Sequence, residues 1–220
     1  MAIDAVIFDL DGVLVDSEPT WDDVRRRYVA DRGGRWVDGA EHAMLGMATA
    51  EWSQYIHDEL GVSDPAPEIA DAVIAGMEER YAAGPPFVPG ALDAVRRMAA
   101  RWPLGLASSS PVRVIASTIE AGGLTDSFRV TRSTEQAGAG KPDPAVYLQV
   151  AAELGVPPDR CAAVEDSTNG IRSASAAGMR VIAIPTRSFP PSDQALGLTA
   201  AVLPSLDALT EAVVEASGGA

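Results

Sequence analysis

Residues 5–18 read AVIFDLDGVLVDSE, and the fold turns on this stretch. Its first four residues are apolar, a run too short for a buried helix and of the kind expected for a strand covered on both faces. Two carboxylates, Asp9 and Asp11, close the run. Residues i and i+2 of a strand point to the same side, so both acids can serve one site at the strand's carboxyl edge. Gly12 then lets the backbone turn away sharply. The plain alternative for an acid after a strand is a helix N-cap, but one cap needs only one acid.

The same kind of apolar run recurs along the chain: LGLASSS (104–110), FRVTRS (128–133), CAAVEDS (161–167), RVIAIP (180–185) and, as a possible sixth, AAVLPS (200–205). Helical patterns separate them, over 91–101, 112–122, 143–154, 168–177 and 206–216. Gly122, Gly155 and Gly178 stand where helix C-caps belong. Strand and helix in alternation predict a doubly wound, Rossmann-like α/β core built on a parallel sheet. Residues 17–86 break the rhythm. They contain helix-length patterns only (WDDVRRRYVADRG, TAEWSQYIHDELG, PEIADAVIAGMEERYAAG) and end in the stiff GPPFVPG. The expected division is therefore a core of residues 1–16 and 87–220, with a small α-helical cap inserted at 17–86. Trp21, Trp36 and Trp52 are expected to supply the cap's own core, with Trp21 close enough to the junction to face a cleft.

At 220 residues with a net charge of −14, the chain has no basic footprint for nucleic acid. An acidic protein binds an anionic substrate only where a metal ion or a lysine reverses the local field. The one cysteine, Cys161, excludes an intramolecular disulfide and fits a reducing compartment, as a small apolar filler in a buried strand. No basic-then-apolar leader and no apolar run of about 18 residues are present, so a cytoplasmic protein without a membrane role is expected.

Other strand ends are also polar. CAAVEDS finishes on Glu165 and Asp166, with Ser167 or Asp166 able to cap the next helix. LGLASSS finishes on Ser108, Ser109 and Ser110, followed by Pro111, which suits a helix start; hydroxyls and amides there cradle anions. Lys141, in GAGKPDPAVY, is the only lysine beside sixteen arginines. An ammonium is a compact point charge that a guanidinium fork does not imitate. Carboxylates, hydroxyls and one ammonium at one sheet edge suit phosphoryl transfer: hard oxygens for Mg²⁺, and lysine and serine donors for the transferring oxygens.

These residues resemble the four motifs of the haloacid dehalogenase superfamily: DLDGVLVDSE the first, Ser108 the second, Lys141 in GKPDPAVY the third and the acids of VEDS the fourth. The helical insertion lies where that family's first type of cap sits. DSEPTWD, LASSSP and VEDSTNGIRSASAAGM are most similar to the β-phosphoglucomutase-like group and its sugar-phosphate phosphatases. The resemblance implies Asp9 as nucleophile and Asp11 as acid and base. It implies Mg²⁺ on Asp9, the Asp11 carbonyl and Asp166, with Glu165 a further ligand, and Ser108, the Ser109 amide and Lys141 on the phosphate. Departures discriminate among relatives. Asp11 argues against the dehalogenases, and the absence of a lysine in the cap argues against phosphonate cleavage. In LGMATAEW, Thr49 stands where the mutase carries an arginine, and Trp21 replaces a histidine. Hydrolysis of a small phosphorylated metabolite, a sugar or polyol phosphate, is therefore expected over a mutase, by a monomer. A receiver-like signalling domain is disfavoured by the Asp-x-Asp strand and the cap. Arg25, Arg26, Arg27, Arg32, Arg35 and Arg80 could grip a distal phosphate, though most of them read as a solvated helix face. His42 and His57 lack metal-ligand spacing, and Glu18 and Pro19 lie at the hinge, where substrate contact is expected of Glu18. PTRSFPPSD is expected to be a loop, and SGGA a frayed tail.

Overall fold

The structure, a computed structural model, describes residues 2–44, 47–186 and 190–219. Part of the loop expected at 185–193, and the final residue of the expected tail, lie outside these ranges.

Six parallel strands form one sheet: β1 (Ala5–Phe8), β2 (Leu104–Ser108), β3 (Phe128–Ser133), β4 (Cys161–Glu165), β5 (Arg180–Ala183) and β6 (Ala201–Val202), in the order β3-β2-β1-β4-β5-β6. β1 is central and pairs in register with β2 (Val6 with Leu104) and β4 (Val6 with Ala162). The strands are short and apolar because both faces are covered, and the side chains divide with a period of two. Val6, Phe8, Leu104, Leu106 and Val164 face one hydrophobic cluster; Ala5, Ile7, Ala107, Cys161 and Ala163 face the other.

Helices follow in chain order as α1 (Glu18–Asp31), α2 (Ala40–Ala43), α3 (Thr49–Asp58), α4 (Ala66–Ala82), α5 (Ala91–Ala99), α6 (Val112–Ala121), α7 (Thr134–Ala137), α8 (Ala145–Leu154), α9 (Thr168–Ala176), α10 (Asp193–Leu196) and α11 (Glu211–Ser217). α8 and α9 cover one face of the sheet with Val146, Tyr147, Val150, Ile171 and Ala174; α5, α6 and α11 cover the other with Val95, Met98, Ile115 and Val214. The expected core helices all occur, the last of them split into a 3₁₀ turn at Leu206–Ala208 followed by α11. Gly155 ends α8 in the left-handed conformation, whereas Gly122 ends α6 at φ −78°, where any residue would fit.

Between β1 and α5 the described chain is helical. It leaves and returns beside itself: Asp16 N donates to Pro86 O (2.9 Å) and Val88 N to Leu14 O (2.9 Å), so the two crossings form a short antiparallel pair. α1, α3 and α4 pack around buried Trp21, Trp52, Ile56, Ile69, Val73 and Met77, which continue the apolar cluster of the α5–α6 face. Trp36 is only partly buried. Among the described residues, no helix is long and apolar enough to cross a membrane.

Candidate active site

β1 ends at Phe8, but Asp9 N still donates to Val164 O (3.0 Å), so the Asp9 side chain leaves from a backbone locked to β4. Gly12, at φ +79°, turns the chain, and a Cβ there would overlap the Asp166 carboxylate from the end of β4. A glycine is thus needed for conformation and for the close approach of the two strand ends. Ser108 ends β2, with Ser109 and Ser110 following, and Lys141 reaches in from the loop before α8.

Lys141 is the hub. Its Nζ donates to Asp9 Oδ1 (2.8 Å), Glu165 Oε1 (2.7 Å) and the Ala107 carbonyl (3.0 Å), with its side chain almost wholly buried. Glu165 is fully buried. Its Oε1 also accepts from the Tyr147 hydroxyl (2.7 Å), and its Oε2 accepts from the Asp166 and Ser167 amides and the Ser167 hydroxyl. Ser167 in turn caps α9, its Oγ accepting from Gly170 N (3.0 Å). Asp11 faces the serines: Oδ2 accepts from Ser108 Oγ (3.1 Å) and Ser110 Oγ (2.8 Å), while Oδ1 is buried without a partner. Ser110 N donates to Ser108 Oγ (2.9 Å).

Burial, with repulsion from Glu165, pushes the Asp9 carboxyl up to about 8 despite Lys141. Burial and Glu165 likewise raise Asp166 well above the usual carboxylate range. Burial opposes the Lys141 ammonium too, but Asp9 and Glu165 outweigh it and hold its pKa above the ordinary lysine value. Such crowding of acids is what a divalent cation relieves. The donor set fits one: oxygens of Asp9, Glu165 and Asp166 lie within 4.8 Å of one another, and Asp166 Oδ1 is buried with no partner. Both Glu165 oxygens are already occupied by donors, so Asp9 and Asp166 are the freer ligands.

Asp9, Asp11, Ser109, Lys141 and Asp166 line a cavity of about 610 Å³, which the helical segment closes from above with Glu18, Trp21, Arg25 and Trp52. Every site residue expected from the sequence therefore lies in this cavity or immediately beneath it. Burial, and repulsion from Asp11, raise Glu18 to about 7. The sequence reading gave no role of their own to two participants, Tyr147 and Ser110, which stood inside quoted motifs. Arg25, one of six arginines offered there as a distal grip, is 7% exposed and so does not lie on a solvated face. The spacing of Glu18, Trp21 and Arg25, at i, i+3 and i+7 of α1, carries the signal that places all three on one helix face. His57, by contrast, lies outside the cavity, its Nδ1 2.9 Å from the Asp64 carbonyl, and Thr49 donates to Glu135 Oε1 (2.7 Å) rather than presenting a cation.

A doubly wound parallel sheet with acids and one lysine at its carboxyl edge, roofed by an inserted helical segment, defines a hydrolase class. The chain belongs to the haloacid dehalogenase-like hydrolases, whose family model matches residues 3–178. It is 36% identical over 187 residues to hexitol phosphatase B of Escherichia coli (82% of this chain, 83% of that one). It is 29% identical over 181 residues to a phosphorylated carbohydrates phosphatase of Thermotoga maritima (82% and 84%). Among solved structures it resembles CbbY from Rhodobacter sphaeroides in complex with phosphate, at a TM-score of 0.85 and 25% identity over 96% of this chain and 99% of that one. Family and relatives agree on the enzyme class, a phosphatase.

Proposed function

We propose that the protein hydrolyses a small phosphomonoester, a sugar or polyol phosphate, with Mg²⁺ and through an aspartyl-phosphate on Asp9. The observation that carries this reading is Lys141 bridging the buried Asp9 and Glu165 on the floor of a cavity roofed by the helical segment. Asp9 and Asp166, with the Asp11 carbonyl, would hold the metal, and Glu165 would serve chiefly to hold Lys141. Bound there, Mg²⁺ would neutralise phosphate oxygens so that an anionic carboxylate can approach.

The chain's own groups do the rest. The Asp9 carboxylate attacks phosphorus and the alkoxide leaves. Asp11 gives that alkoxide a proton, then takes one from the water that opens the acyl phosphate, restoring both acids. Ser108, the Ser109 amide and Lys141 fix the phosphate oxygens. Residues 17–86 act as a cap on a core of 1–16 and 87–220, hinged at the paired crossings near Val15 and Phe87, and exclude water during transfer. Hydrolysis is favoured over a mutase because Thr49 offers no cation and is bonded to Glu135. The names of the relatives support a carbohydrate phosphate as substrate.

The test is phosphate release from a panel of sugar and polyol phosphates, with and without Mg²⁺, for wild type and Asp9→Asn. Mg²⁺-dependent release that falls at least ~10³-fold in Asp9→Asn is expected. Release that survives the substitution removes Asp9 as nucleophile, and no release from any ester defeats the reading.

A further inference from the structure

Arg25 is a buried cation that lines the cavity and to which the proposed chemistry gives no task. Three other arginines of the helical segment have acidic partners: Arg26 pairs with Asp22 (2.7 Å) and Glu41 (3.1 Å), Arg32 with Asp64 (2.7 Å), and Arg80 with Asp23. Arg25 is instead buried, and among the described residues no carboxylate forms an ion pair with it. Its Nε is buried with no hydrogen-bond partner. Its guanidinium carbon lies 4.9 Å from the centroids of both Trp21 and Trp52, which line the same cavity. Those rings, 6.1 Å apart and tilted by 54°, both lie against the guanidinium, so its position is restricted before any ligand arrives. Desolvation draws its pKa down to about 10, which leaves it a cation at neutral pH.

A buried group that can only donate, whose charge Glu18, Asp22 and Asp11 offset at a distance but no described carboxylate meets directly, leaves room for an anionic acceptor. The core supplies its own cation for the reacting phosphate, so this second cation, in the roof, addresses a different part of the ligand. A guanidinium fork matches the two oxygens of a carboxylate. Glu18 and Asp16 line the same cavity, and their field penalises a dianion there more than a monoanion. We propose that Arg25 is a specificity residue that takes a carboxylate at the end of the substrate remote from the phosphate, so that the preferred ester is that of a phosphorylated sugar acid. This rests on the phosphatase reading for turnover, but not for binding.

The experiment uses the Mg²⁺-loaded full chain with 6-phosphogluconate, sorbitol 6-phosphate (the same length with a neutral end) and fructose 1,6-bisphosphate. In wild type, kcat/KM for the acid exceeds that for sorbitol 6-phosphate by about 10-fold or more, and Arg25→Gln brings the ratio to about one. Arg25→Lys, which keeps the charge but loses the fork, gives an intermediate ratio. Calorimetry on Asp9→Asn, with and without Arg25→Gln, reads the same selectivity as binding, and the wild-type ratio alone decides should Arg25→Gln fail to fold. Equal treatment of acid and neutral ester, preference for the bisphosphate, or a ratio that survives Arg25→Gln overturns the proposal. Carboxylate-selective binding with no turnover of any ester would defeat the phosphatase reading and leave Arg25 in its role.

Discussion

Lys141 and Glu18 are two charges that the same cavity treats in opposite ways. Lys141 is met by two carboxylates and a carbonyl, so its burial is compensated. An arginine at that point would have to fit a planar fork into a pocket shaped for an ammonium, which gives a physical ground for one lysine in a chain of arginines. Among the described residues Glu18 has no direct ion pair, and burial with repulsion from Asp11 raises its carboxyl from 4.5 to about 7 against the pull of Arg25. Its effect on stability therefore has a definite sign. Below pH ~4.5 it is protonated in both native and unfolded chains and costs nothing. As pH rises towards 7 the unfolded chain releases the proton first, so stability falls, and above 7 the penalty is complete, about 2–3 kcal/mol once partial exposure is allowed for. Glu18→Gln should thus match wild type in metal-free denaturant unfolding at pH 4.5 and exceed it by that amount at pH 8. A difference independent of pH would show that packing, not charge, is responsible. A substitution that stabilises while weakening substrate selection is what a functional site under electrostatic strain produces.

At the scale of elements, the junction of β4 with α9 is the most constrained in the molecule. Gly170 lies in the first turn of α9, where alanine would normally strengthen a helix by up to ~1 kcal/mol. A Cβ at 170, however, would overlap the Glu165 carboxylate, which cannot move aside because Lys141, Tyr147, Ser167 and the Asp166 amide all hold it. Gly170→Ala should therefore lose about 2–4 kcal/mol in thermal or urea unfolding, with activity falling further than stability as Lys141 is displaced from Asp9. A variant more stable than wild type would show that propensity outweighs the contact. The same junction marks what was legible beforehand. The doubly covered strands betrayed themselves by short apolar runs, and Asp9, Asp11, Glu165 and Asp166 by ending them. α2, α7 and α10 are four residues each, shorter than one amphipathic period, so no pattern could announce them. Arg25 was only half legible. Its spacing from Glu18 and Trp21 puts it on their helix face, but only Trp52 of α3 packed against it shows that this face is buried. Tyr147 belongs to the same class, since its role needs α8 packed on the sheet so that its hydroxyl reaches Glu165 at the end of β4.

For the whole molecule, the question is what holds the helical segment over the core. Beyond the paired crossings, two polar contacts among the described residues join the helical segment to the core. Arg113 of α6 forks onto Glu78 of α4, with Asp71 nearby (3.9 Å), and Thr49 of α3 donates to Glu135 of α7. Both lie at the surface, with the Arg113 side chain 52% exposed, so each contributes on the order of 0.2–1 kcal/mol. That is too little to matter to folding but enough to shift a nearly balanced open–closed equilibrium severalfold. If the helical segment closes as proposed, loss of the latch should weaken substrate capture and leave the chemistry of the closed state alone. Glu78→Gln is accordingly expected to raise KM about 2–5-fold at low ionic strength with little change in kcat. The difference should fade by roughly 0.5 M salt, where the Debye length approaches the pair's own separation and wild type has lost the same attraction. Steady-state kinetics of both proteins across a salt series measures this directly. A KM difference that persists at high salt would mean that Glu78 acts by packing against α6, and equal KM values at low salt would mean that apolar contact between α4 and α6 holds the roof in place by itself.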